Sequence, residues 1–283
     1  MDPRALSPAV TPTDPEGSFV ETGRGPVFVV DEGPKDAAHV LFLVHGVPGS
    51  TRDFRYLGPA LATSGIRAIR VDLPGFGRTP METSLETHAK NRAALVVRLA
   101  DLMGVPRFGV VAHSYGGSLA LLAAANFPTR VRALVLLASI GVLRHRVFPI
   151  LPAPVFAGIA RALETSPVDE PLRTFVQKAY AALGLQIDVP AHVLAHWTRV
   201  IAATDFAAHR AAARTIECPT LLVSADDDPL VEPRIHLDLA ARLDARGVPV
   251  RHLKFSRGGH FVQKTHARHV ADAVVEMLDH HHG

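Results

Sequence analysis

Three short stretches of this chain contain the residue types that acyl transfer requires. VVAHSYGGS (Val110 to Ser118) places Ser114 where an apolar run gives way to small residues. VSADDDPLVEP (Val223 to Pro233) holds three consecutive aspartates, and SRGGHFVQ (Ser256 to Gln263) places His260 in a glycine-rich loop. A serine hydroxyl is a poor nucleophile at neutral pH until an imidazole takes its proton. The imidazole in turn works best when a carboxylate fixes its tautomer and stabilises its cation. Serine, acid and histidine follow one another in that order along the chain, and an acid and a base must both fold back onto Ser114 if it is a nucleophile.

For that to happen, Ser114 must project from a tight turn. Phe108 to His113 reads as a strand, and the alanine-rich run after Gly117 reads as a helix. A serine between them is exposed only if the residues two before and two after are small, because larger side chains would collide as the backbone doubles back. Those residues are Ala112 and Gly116.

The elements around the turn follow one rhythm. Val27 to Asp31, Val40 to Val44, Ile66 to Asp72, Phe108 to His113 and Ala133 to Ser139 are short and rich in β-branched residues, and several are nearly continuous apolar runs, as strands buried on both faces should be. Leu85 to Met103 and Ser118 to Asn126 have the length and composition of helices. After residue 215 the pattern resumes with a strand at Pro219 to Asp226, a helix near Arg234 to Ala245, a strand near Val250 to Phe255 and a helix from His266 to Leu278. Strand alternating with helix predicts an α/β fold, a mostly parallel central sheet flanked by helices. Residues 144–215 break the rhythm: proline-separated helical segments without a strand run predict a helical cap over the carboxyl ends of the strands, where ligands bind in open sheets. Residues 1–17, with four of the 22 prolines, predict a flexible arm, residues 18–143 and 216–279 form the expected core, and HHHG at 280–283 resembles the remnant of a purification tag.

With its turn placed, Ala-His-Ser-Tyr-Gly-Gly resembles the nucleophile elbow of the α/β-hydrolase superfamily, esterase-like serine hydrolases among them, with alanine in the first small position. LVHGVPGS (Leu43 to Ser50) and VDLPGFGRT (Val71 to Thr79) are similar to that family's loop beside the elbow and to its turn after a sheet strand. The resemblance implies a triad of Ser114, Asp228 and His260, with the backbone N–H groups of Val47 and Tyr115 as the oxyanion hole. Among the three aspartates, Asp228 is preferred because family members place the acid three residues before the apolar residue that closes the loop, here Val231; Asp226 and Asp227 stay open as alternatives. His45, Gly46, Phe148 and Trp197 are expected substrate-binding residues, and Asp72 is expected to hold its turn rather than catalyse. The elbow carries serine where haloalkane dehalogenases and epoxide hydrolases carry aspartate, which disfavours both activities.

Composition narrows the function classes. Of 283 residues 48% are apolar, and the 30 basic residues are interspersed with 27 acidic ones, so no basic stripe points to nucleic acid despite a net charge of +3. The single cysteine, Cys218, rules out an internal disulfide and a cysteine-rich zinc site. No apolar run reaches the length of a membrane span, and no secretory leader is recognisable, so a cytoplasmic enzyme acting on a small molecule is expected. Because nucleophile, base and charge stabiliser all come from the chain, neither a metal nor an organic cofactor is needed. The leading expectation is a carboxylesterase for small or medium acyl groups; lactones, amides and the carbon–carbon bonds of ring-fission diketones are alternatives, and a ligand-sensing receptor of the same fold is the non-enzymatic one. A diketone bearing carboxylates would call for basic residues near the site, for which Arg144, Arg146, Arg173 and Arg199 in the cap are candidates.

Overall fold

The computed structural model describes residues 12–81, 89–144, 153–165, 169–182 and 188–280. Its centre is one sheet of eight strands: β1 (Ser18–Glu21), β2 (Pro26–Glu32), β3 (Val40–Val44), β4 (Arg67–Val71), β5 (Phe108–His113), β6 (Val131–Leu137), β7 (Thr220–Ala225) and β8 (Val250–Phe255). Their spatial order is β1-β2-β4-β3-β5-β6-β7-β8. The pairings of β2 with β1 and β4 are antiparallel, and all the others are parallel.

Side chains that alternate along a strand divide the core into two layers. Leu41 and Leu43 of β3 and Val111 of β5 face α1 (Leu57–Thr63) and α10 (Ala267–His280) through Leu57, Leu61, Val270 and Val274. Phe42, Val44, Val110 and Ala112 face the other way, toward α2 (Ala89–Leu102), α3 (Gly116–Asn126) and α8 (Pro233–Asp244). Because helices cover both faces, β3 and β5 have no polar alternation. Four helices, α4 (Ala153–Thr165), α5 (Asp169–Ala182), α6 (Ala191–Ala202) and α7 (Phe206–Ala213), lie between β6 and β7, and α4 packs on α6. The last two helices of the core layer begin after β8 with the short α9 (Val262–Thr265), which leads into α10.

Two elements differ from the sequence reading. β1 is mostly exposed and carries Phe19 at 53% exposure, so it has no apolar alternation by which to be seen. α1 spans only two turns, with Pro59 near its start, too short for a clear helical period. Of the expected flexible arm, residues 12–17 are described: the Thr13 N–H donates to the Arg55 carbonyl at 2.9 Å, and its hydroxyl donates to Glu32 at 2.7 Å. Thr13 also accepts from Arg70, a buried arginine that forms an ion pair with Glu32.

Candidate active site

Ser114 follows β5 directly and precedes Gly116, the first residue of α3. Its φ of 52° lies in the left-handed region, uncommon for a residue with a side chain, and such strain persists only where neighbours over-determine the backbone. Here the Ser114 N–H donates to the Leu137 carbonyl at 3.0 Å, and its own carbonyl accepts from Gly117 at 3.0 Å and Ile140 at 3.3 Å. Small neighbours are obligatory. A methyl on Gly116 would fall 2.5 Å from the Val44 carbonyl oxygen and 2.8 Å from that of His45, and one on Gly117 would overlap the Ser139 hydroxyl. On the opposing loop, a methyl on Gly46 would fall 2.9 Å from the Ser114 Cβ. The backbone at Gly46 therefore lies directly against Ser114, and the carbonyls of Val44 and His45 lie against the start of α3.

The acid and the base meet across two other loops. Nδ1 of His260 is 2.9 Å from Oδ2 of Asp228, and both residues are buried. The other carboxylate oxygen, Oδ1, accepts from the N–H groups of Leu230 at 2.8 Å and Val231 at 3.1 Å. Burial opposes ionisation of Asp228, but the His260 ring and these two N–H groups outweigh it and hold the carboxyl below the usual range. The three aspartates have separate tasks. Oδ1 of Asp227 accepts from the N–H groups of Gly258 at 2.9 Å and Gly259 at 2.8 Å, clamping the loop that presents His260, while Asp226 forms an exposed ion pair with Lys254 at 2.8 Å.

A second histidine joins these loops to the serine turn. His113 donates from Nε2 to the His260 carbonyl at 2.9 Å, and its ring lies 4.8 Å from that of His260. Burial and then the neighbouring His260 press His113 down to about 3, so it stays neutral at physiological pH. Its place immediately before the serine was the signal in the sequence, and its bond to the backbone of the His260 loop is visible only in three dimensions.

Other expected residues fall in different roles. His45 was an expected substrate contact, but it is fully buried with both ring nitrogens engaged: Nδ1 donates to the Gly46 carbonyl, and Nε2 accepts from the Leu73 N–H at 3.0 Å. It fixes the loop and has no ring nitrogen left for a ligand. Asp72 holds its turn as expected, accepting from Thr51 at 2.5 Å and Arg78 at 2.7 Å. Trp197 is buried in the larger core on α6, Val47 is half-buried, and Phe148 lies outside the described residues, as does Arg146. Arg173 and Arg199, candidates for contacting substrate carboxylates, are instead paired with Glu170 and Glu164. His192 and His196, one helical turn apart, occupy unlike surroundings: His192 is exposed and His196 is buried against the Pro74 carbonyl.

Comparison with known proteins agrees with this architecture. Residues 39–157 match the family model described as alpha/beta hydrolase fold. The chain is 28% identical to the magnesium-chelatase 30 kDa subunit of Rhodobacter capsulatus, over 99% of this chain and 100% of that one. It is also 28% identical to 2-hydroxymuconate semialdehyde hydrolase of Pseudomonas sp. (strain CF600), over 86% and 87% of the two chains. Among solved structures, the enol-lactonase of Burkholderia xenovorans LB400 superposes with a TM-score of 0.71 at 17% identity, covering 93% of this chain and 100% of that one. Residues 39–157 by sequence and the eight-stranded sheet by architecture thus show that the chain has the alpha/beta hydrolase fold.

Proposed function

We propose that the chain is a serine hydrolase that cleaves a small or medium carboxylic ester through an acyl-enzyme. The observation that supports it most is the 2.9 Å bond between His260 and Asp228, in loops packed beside a serine held at φ 52°. In this reading Asp228 keeps the proton of His260 on Nδ1, leaving Nε2 free to take the proton of Ser114 as its oxygen attacks the carbonyl. The N–H groups of Val47 and Tyr115 receive the oxyanion. Collapse of the tetrahedral intermediate expels the alcohol, which takes the proton from Nε2, and leaves the acyl group on Ser114. His260 then deprotonates a water, which attacks the ester and releases the acid and free Ser114.

A second reading has a specific support. The relatives matched over most of their length include several named 2-hydroxymuconate semialdehyde or 2-hydroxy-6-oxo-2,4-heptadienoate hydrolases, so cleavage of a carbon–carbon bond in a ring-fission diketone is the alternative reaction for the same residues. One experiment tests the shared machinery and separates the two readings. Purified protein and its Ser114→Ala variant are assayed on p-nitrophenyl esters from acetyl to octanoyl, and on a vinylogous 1,5-diketone. The ester reading expects turnover of short and medium esters and a loss of roughly 10⁴-fold or more in the variant. Turnover of the diketone with negligible ester cleavage would move the assignment to the carbon–carbon hydrolase; undiminished turnover in Ser114→Ala would remove the serine from either mechanism.

A further inference from the structure

One ion pair joins two of the loops that surround Ser114 without involving Ser114, Asp228 or His260. Lys264 lies on α9, four residues after His260, and its Nζ is 2.7 Å from Oδ1 of Asp53. Asp53 belongs to the short helical turn Thr51–Phe54, which closes the loop that begins at His45 and Gly46. The partners stand 211 residues apart in the sequence, and their side chains are only 13% (Asp53) and 23% (Lys264) exposed. An ion pair at an open surface contributes little because water screens it. This one is largely shielded, so its attraction is stronger and removal of either partner leaves the other charge uncompensated.

Each end of the pair is rooted in its own loop. Oδ2 of Asp53 accepts from the Ser50 N–H at 3.4 Å, and a methyl on Gly49 would fall 2.6 Å from that oxygen, so the carboxylate lies against the backbone just beyond Gly46 and Val47. Burial alone would raise the Asp53 carboxyl, but Lys264 chiefly outweighs it and holds the group below the usual carboxylate range. At the other end, Nζ of Lys264 sits 4.0 Å from the centre of the Phe261 ring, which lies 5.0 Å from the His113 ring and 5.6 Å from that of His260. The Thr265 hydroxyl donates to the Gly258 carbonyl at 3.0 Å and ties α9 back onto the glycine loop that presents His260.

We propose that Asp53 and Lys264 are positioning residues for the hydrolytic reaction, their ion pair being a strut that fixes the spacing between the loop of Gly46 and Val47 and the loop of His260. The inference rests on the serine-hydrolase reading, in which the Val47 N–H receives the oxyanion and His260 moves the proton. Both groups then act on one tetrahedral centre, so they must be placed correctly relative to each other as well as to Ser114. The bonds of His45 and Asp72 hold the first loop to the turn after β4, and those of Asp227 hold the second to the loop after β7. The Asp53–Lys264 pair runs directly from one loop to the other. It takes no part in bond making, so its loss should appear in kcat and leave KM nearly as it was.

The test measures kcat and KM on the best p-nitrophenyl ester for wild type, Lys264→Met, Lys264→Arg, Asp53→Asn and Asp53→Asn/Lys264→Met, with the Tm of each and the rate at which a p-nitrophenyl phosphonate modifies Ser114. Because a misplacement of about 1 Å can cost about 100-fold, Lys264→Met should lose on the order of 10- to 100-fold in kcat and in phosphonylation rate, with KM changed about threefold at most and most of the loss recovered in Lys264→Arg. The double variant should lose no more than the worse single one, since both single substitutions remove the same interaction. If only the phosphonate reacts, its rate carries the same comparison. Wild-type rates in Lys264→Met, whether or not its Tm falls, would overturn the strut, as would losses that multiply in the double variant. A wild type inert to every ester and to the phosphonate would instead refute the serine chemistry, and the positioning role with it.

Discussion

The assignment of the acid can be tested by changing one atom. In Asp228→Asn the side chain must choose which end faces His260. Oδ1 receives two backbone N–H groups, from Leu230 and Val231, and Oδ2 receives the Nδ1 proton of His260. Turning the amide nitrogen toward the backbone would lose two accepted bonds and set donors against donors in a buried place, at a cost of about 3–5 kcal/mol from typical hydrogen-bond and unsatisfied-donor values. The amide oxygen therefore stays on the backbone, and its NH₂ faces His260. The imidazole must then accept at Nδ1 and carry its proton on Nε2, the tautomer that cannot take a proton from Ser114. In the analogous trypsin substitution such a tautomer error costs about 10⁴ in kcat, equivalent to roughly 5.4 kcal/mol of barrier. The same loss is expected here, with Tm nearly unchanged because both backbone bonds survive. Asp227→Asn is the matched control: its acceptor Oδ1 is retained, so kcat should stay within about threefold on the same energy scale. Steady-state kinetics on the preferred ester, with calorimetry of both variants, decides the matter. If Asp228→Asn keeps more than a tenth of wild-type kcat, or if Asp227→Asn suffers the larger loss, the acid has been misassigned.

Acid should destabilise the fold earlier than carboxylate protonation alone would. His113 is pressed to about 3, and His196 and His209 to about 4, each by burial first. Their folded values lie below the unfolded value of about 6.5, so the unfolded chain binds more protons and stability falls as pH drops from about 6.5 toward 4, by up to about 1.4 kcal/mol per pH unit for each histidine. Urea midpoints at constant ionic strength should decline steeply from pH 7 to pH 5, and a flat profile would contradict the burial of these rings. Gly116→Ala should cost about 1–3 kcal/mol, because both atoms it meets belong to backbone that must shift. A fall of several degrees in Tm together with impaired ester turnover is expected, and an unchanged Tm would refute the close approach of α3 to β3.

Much of this could be read from the chain because the relevant signals are local. β3 and β5 span the residues expected, since continuous apolar runs ending at loop residues leave little choice of boundary. The elbow was legible because steric crowding restricts the residues around Ser114, and the pairing of Asp228 with His260 followed from family spacing. The distinct work of Asp227 was not legible, since it depends on where the Gly258–Gly259 backbone arrives from another strand. The burial of Arg92 was not anticipated, although its position held a clue. Ala89, Ala93, Val96 and Ala100 form the buried stripe of α2, and a cation among them breaks the apolar pattern of a core-facing helix.

The insertion of α4 to α7 between β6 and β7 divides labour within the chain. Ser114, Asp228 and His260 all stand on loops at strand ends outside that stretch, and the bonds that orient them involve no residue of it. Under the proposed mechanism, mutational drift across those four helices would retune which molecules are admitted while leaving the reaction itself intact. For an engineer, the insertion is the segment to randomise or transplant when a new selectivity is sought, and residues 108–116 and 226–260 are the ones to leave alone.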